Sequence, residues 1–152
     1  MLEWTDRFET GHPLIDAQHR MLISYVNRLD TLAQDAPSVE EEAELFLRFV
    51  EFLETYITTH FKDEEDCMHR FECPAYQENQ RTHGEFLDFY RQFKRRLEVD
   101  GYRREAAREL HRYCVSWARH HILHIDVQLK SYQTLPPGPV PASNGSNGSA
   151  TH

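Results

Sequence analysis

The 152-residue sequence is 39% hydrophobic and carries a formal net charge of −8, ten His and three Cys, which bounds it to one modest acidic domain. No apolar run approaches the ~20 residues of a membrane span, and the start Met1, Leu2, Glu3, Trp4, Thr5, Asp6 lacks the basic and apolar regions of a signal peptide, so a cytoplasmic protein is expected. The acidic balance argues against a nucleic-acid partner, which would want clustered Lys and Arg, and Cys67, Cys73 and Cys114 lack the number and CxxC spacing of a disulfide framework or thiolate zinc site.

In residues 1–135 the helix punctuators are Gly11, Pro13, Pro37, Pro74, Gly84 and Gly101, and four of these sites divide the body into four long segments. Segment A runs from about Leu14 to Asp35, with Pro13 suited to a first turn and Ile15, His19, Leu22, Val26 and Leu29 on one stripe. Segment B starts at Ser38, whose hydroxyl can cap a helix while Glu41 completes a capping box, and continues to about Arg70. Its stripe is Leu45, Phe49, Phe52, Tyr56, His60, Glu64 and Cys67. Segment C follows Pro74 and ends before Gly101, with Tyr76, Asn79, His83, Phe86, Tyr90, Phe93 and Leu97 in register. Segment D runs from about Tyr102 to Gln133, with Leu110, Cys114, Trp117, His121 and Ile125. Residues 136–152 hold four of the seven Pro and three of the six Gly and no charge, and read as a flexible tail that could reach a protein partner or a fused output domain. Four amphipathic helices with short connections predict an all-α, up-down-up-down antiparallel bundle over residues 1–135, preceded by an N-terminal arm.

Each predicted helix carries one His on its apolar stripe: His19, His60, His83 and His121. Buried without partners these groups would each cost kilocalories, so a shared partner is the economical explanation. In an antiparallel bundle the four fall within roughly 10 Å of a common level at a rise of ~1.5 Å per residue. Glu64 lies one turn after His60 and can face the same centre. Asp126 is five residues beyond His121, a rotation of ~140° that does not read as one face by itself, but it aligns with Ile122 and Leu129 on the flank of the stripe, from which a metal pair lying off the helix axis could still be reached. Four imidazoles and two carboxylates without a thiolate suit a pair of redox metals bridged by carboxylates better than a structural zinc. A ferritin-like site would need inward Glu-x-x-His pairs, and Glu9 to His12 lies outside any helix.

The pattern Ile15-Asp16-x-Gln18-His19, His60-Phe61-x-x-Glu64-Glu65, His83-x-x-Phe86 and Trp117-x-x-x-His121-Ile122-x-x-x-Asp126, with Trp4 in the arm, resembles the hemerythrin family, particularly bacterial hemerythrin-like domains. The resemblance implies an oxo- or hydroxo-bridged non-haem centre of two iron ions (Fe2+/Fe3+) that binds O2 reversibly. It implies His19 and His60 on the iron that receives O2, His83 and His121 on the other, and Glu64 and Asp126 as bridges.

One position departs from that family, whose helix C motif is His-x-x-x-His: the first His is Asn79 here. The second iron would keep two imidazoles, with water, hydroxide or another side chain completing it; Gln80 is a less well-aimed candidate. Faster oxidation of the ferrous pair is expected.

His124 is an alternative ligand, although a rim position fits it better. His12, His69, His111, His120 and His152 read as exposed, Cys67 and Cys114 as small core residues, and Gly84 as a point of close packing. Lys94, Arg95, Arg96, Arg103, Arg104 and Arg108 form a basic patch at the turn from C to D. The leading functional expectation is an O2-binding protein for storage, delivery or sensing, and not an enzyme. The alternatives are an O2- or redox-sensing regulatory domain and a di-iron enzyme reducing peroxide or nitric oxide.

Overall fold

A computed structural model describes residues 1–133, so the expected tail, 136–152, lies outside the described residues. Four α-helices follow in order: α1 (Pro13–Asp35), α2 (Val39–Arg70), α3 (Tyr76–Asp100) and α4 (Arg104–His124). Short 3-10 turns at Asp6–Phe8 and Asp126–Ser131 flank them. Helix α1 packs on α2 and α4, and α3 closes the square by packing on the same two, giving the up-down-up-down bundle.

Local chemistry sets the helix ends. Pro13 occupies the first turn of α1, where its missing N–H costs nothing. Ser38 Oγ accepts from Glu41 N at 3.2 Å, and Glu40, Glu41 and Glu42 sit against the positive end of the α2 dipole. Gly101 closes α3 at φ 71°, a conformation that favours glycine.

Segment D does not continue to Gln133. Helix α4 stops at His124, Ile125 takes φ −111° and ψ −61°, and residues Asp126–Ser131 wind more tightly as a 3-10 turn. A continuous α-helix would aim Asp126 ~140° away from His121. The change of winding swings its carboxylate to within 2.9 Å of His121 Nε2.

The core falls into two apolar clusters. The larger contains Phe46, Leu53, Ile57, Phe86, Phe93, Leu110 and Ile122, and the smaller joins Ile15, Met68, Ala75, Ile125 and Leu129 where α1 and α3 begin and α2 and α4 end. The polar stripe residues lie along the helices between these clusters. Phe46 takes the core position expected of Leu45, which is 40% exposed, and Ala118 is buried beside a half-buried Trp117. The difference is one residue of helical phase.

Gly84 is not a point of close packing, because a Cβ added there would meet nothing within 4 Å. The arm is clamped by Asn27, whose side chain accepts from Leu2 N and donates to Leu2 O, both at 2.8 Å. The basic patch is largely consumed by ion pairs: Lys94 with Glu54, Arg96 with Glu109, Arg103 with Asp100, and Arg104 with the buried Glu42, which also accepts from Tyr102 Oη. Among the described residues no helix is long and apolar enough to cross a membrane.

Candidate metal centre

The stripe positions converge. His19 from α1, His60 and Glu64 from α2, Asn79 and His83 from α3, His121 from α4 and Asp126 from the following 3-10 turn are each at most 1% exposed. Their donor atoms form two trios with atoms within 4.8 Å of one another, one of His19, His60 and Glu64 and the other of Glu64, His83 and His121. Glu64 belongs to both. Asp126 also spans them, with Oδ2 3.2 Å from His19 Nε2 and Oδ1 2.9 Å from His121 Nε2.

Each half is oriented from outside. His60 Nδ1 meets Gln18 Oε1 at 2.7 Å, and the Gln18 amide is pinned by donating to Asp63 Oδ2 at 2.7 Å. Because Gln18 presents an oxygen, His60 donates from Nδ1 and its Nε2 lone pair faces inward. His83 Nδ1 likewise faces Glu65 Oε1 at 2.9 Å. His121 Nδ1 meets Thr82 Oγ1 at 2.9 Å; that hydroxyl lies 3.0 Å from both Glu78 O and Asn79 O, so its own proton goes to a carbonyl and it accepts from His121. Aromatic rings wall the imidazoles: Phe61 stacks on His83 at 3.8 Å, Trp117 on His121 at 4.2 Å and Tyr56 on His60 at 5.4 Å.

The inner atoms are less well satisfied. His83 and His121 bring their Nε2 atoms to 3.1 Å. His19 Nε2, Glu64 Oε1 and Asp126 Oδ2 lie 3.2–3.3 Å apart across His19, yet none makes a directed hydrogen bond, and Asn79 Oδ1 is buried without a donor. Burial alone would lower the His19 and His121 pKa values, but the adjacent Asp126 and Glu64 carboxylates outweigh it and push them up to about 10 and about 9. Burial would raise the Glu64 pKa, but the surrounding imidazoles hold it well below the usual carboxylate range. His60 is pushed down to about 3, chiefly by burial. Buried, inward-facing nitrogen and carboxylate atoms lacking directed partners are what a pair of cations would satisfy, and the nitrogen and oxygen donors suit iron. The residues therefore fit the metal.

Other candidates fall away. Gln80 is exposed and donates to Tyr76 Oη, and His124 is exposed and packs on His120, so neither joins the cluster. His69 and His120 are exposed as expected, whereas His12 and His111 are half-buried; His152 is outside the described residues. Cys67 and Cys114 are buried, and Cys73 joins them. Sequence reasoning missed Thr82 and the orienting roles of Gln18 and Glu65. Each stands next to a residue of the buried cluster in the chain but serves a His on another helix, so its own helix gives no signal of it.

A buried cluster of imidazoles and carboxylates at one level of an antiparallel bundle defines a cation-binding helical domain. The chain belongs to the hemerythrin family: it matches the Hemerythrin HHE cation binding domain over residues 10–132. It is 28% identical over 126 residues to a bacteriohemerythrin of Clostridium acetobutylicum, an alignment covering 83% of this chain and 96% of that relative.

Proposed function

We propose that this protein binds O2 reversibly at a pair of iron ions held by His19, His60, Glu64, His83, His121 and Asp126. The observation that carries the reading is the sharing of Glu64 and Asp126 between the two halves, since each carboxylate lies within 4 Å of imidazoles from both. Iron bound there would supply the O2 chemistry.

The chain supplies the rest. Gln18, Glu65 and Thr82 lock three imidazoles with Nε2 inward, Glu64 and Asp126 neutralise positive charge, and Phe61, Trp117 and Tyr56 keep water from the rings. On this reading the protein is a binding protein and not an enzyme, and its role is storage, delivery or sensing.

The test is anaerobic iron reconstitution followed by O2 exposure, reading metal content and the visible charge-transfer band. About two irons per chain and a band that disappears when O2 is withdrawn are expected. Rapid irreversible oxidation would favour a redox sensor, steady-state turnover of peroxide or nitric oxide an enzyme, and no iron uptake would overturn the reading.

A further inference from the structure

The side chain of Asn79 is wholly buried at the edge of the second trio. Its Nδ2 lies 3.1 Å from Glu64 Oε2, 3.2 Å from Met68 Sδ and 3.4 Å from Asp126 Oδ1. Three acceptors surround this nitrogen, two of them carboxylate oxygens, and an amide oxygen in its place would face them oxygen to oxygen. The amide is thus held as a donor that steadies both carboxylates. The other polar atom of Asn79, Oδ1, the one able to bind a cation, is buried with no hydrogen to accept. A buried acceptor in that state costs free energy unless something brings it a proton.

The donor count points the same way. Each half offers two imidazoles and a share of two carboxylates, four donors that a solvent bridge between the cations would raise to five, whereas a cation of the iron or cobalt type in nitrogen and oxygen surroundings takes up to about six. From these observations, and resting on the reading of the centre as a cation pair, we infer that the His83–His121 half keeps a position beside Asn79 for a small exogenous ligand. At rest it is water or hydroxide, with Asn79 Oδ1 as the acceptor for its proton, and it exchanges for a small anion. The protein then has an exchangeable position on each half, and Asn79 works as a hydrogen-bonding residue and not as a ligand.

Cobalt(II) substitution tests this without any oxygen chemistry. The full chain is loaded with cobalt(II), metal content is measured, and azide is titrated while following heat and the cobalt ligand-field bands. Wild type is expected to take about two azides per cobalt pair, Asn79→His about one, and Asn79→Ala about two, since alanine leaves the position open. A wild type that takes only one azide overturns the inference; one in wild type with two in Asn79→Ala would assign the position to the Asn79 amide itself. Two in Asn79→His as well would place the second position away from residue 79 and also overturn it. The wild-type and alanine titrations decide the matter even if the histidine variant does not fold. Failure to hold two cobalt ions overturns the cation-pair reading along with the inference, whereas two ions and a single azide overturn the inference alone.

Discussion

His121 Nε2 stands 2.9 Å from Asp126 Oδ1 and 3.1 Å from His83 Nε2, so a charge on His121 is matched by a carboxylate at the centre of the bundle while its ring nitrogen meets that of His83. With His19 also pushed up to about 10, the metal-free protein sets two imidazolium charges against the carboxylates of Glu64 and Asp126. The protons stand where cations would stand.

Metal loading should therefore release about two protons per chain between pH 7 and pH 8. The measurement is calorimetric titration of metal into the chelator-treated protein in buffers of different ionisation enthalpy. Release near zero would mean that His19 and His121 are already neutral.

The stability of the metal-free protein should peak near the ordinary histidine pKa of 6.5 and fall on both sides. His19 and His121, with folded pKa values raised to about 10 and about 9, stabilise the fold fully below 6.5, and the contribution is lost as pH rises through those values. His60, depressed to about 3, acts oppositely: its neutral burial is free of cost above 6.5 and destabilises progressively as pH falls toward 3. The lowered Glu64 adds to the loss on the acid side. Urea unfolding at a series of pH values, with and without metal, checks this; a metal-free curve that still rises above pH 8 would contradict it.

Gln18→Leu and Thr82→Val should each weaken metal retention by roughly 10–100-fold without removing a ligand, because His60 and His121 would lose the partners that set their ring orientation. Chelator competition reads the effect. Gln18→Glu combined with Asp63→Asn, which keeps both the oxygen that accepts from His60 and a donor opposite it, should retain more affinity than Gln18→Leu.

Gly84→Ala should stabilise the protein by about 0.5–1 kcal/mol, since the added methyl meets no neighbour and alanine is the better helix former. Thermal unfolding measures it, and an unchanged metal content shows that the effect is confined to the helix.

Much of the centre was legible because helical periodicity is a local property. His19, His60, Glu64 and His83 interrupt stripes that otherwise read as core, and all four are buried at one level. Asp126 was not legible as a co-facing donor, because its position depends on α4 ending at His124 and the chain tightening into a 3-10 turn. The second layer was hidden for a related reason. Gln18 serves a His on α2, Thr82 one on α4 and Glu65 one on α3, and contacts between helices leave no trace in the spacing of either.

The sequence by itself determined four amphipathic helices, their antiparallel order and the imidazoles that share one level, because a 3.6-residue period and short connections leave few alternatives. Only the tertiary structure decided that Glu64 and Asp126 each span two groups of imidazoles, and that Asn79 points its amide nitrogen at both carboxylates. Those relations depend on side-chain direction across helix interfaces, where a change of winding over a few residues re-aims a carboxylate.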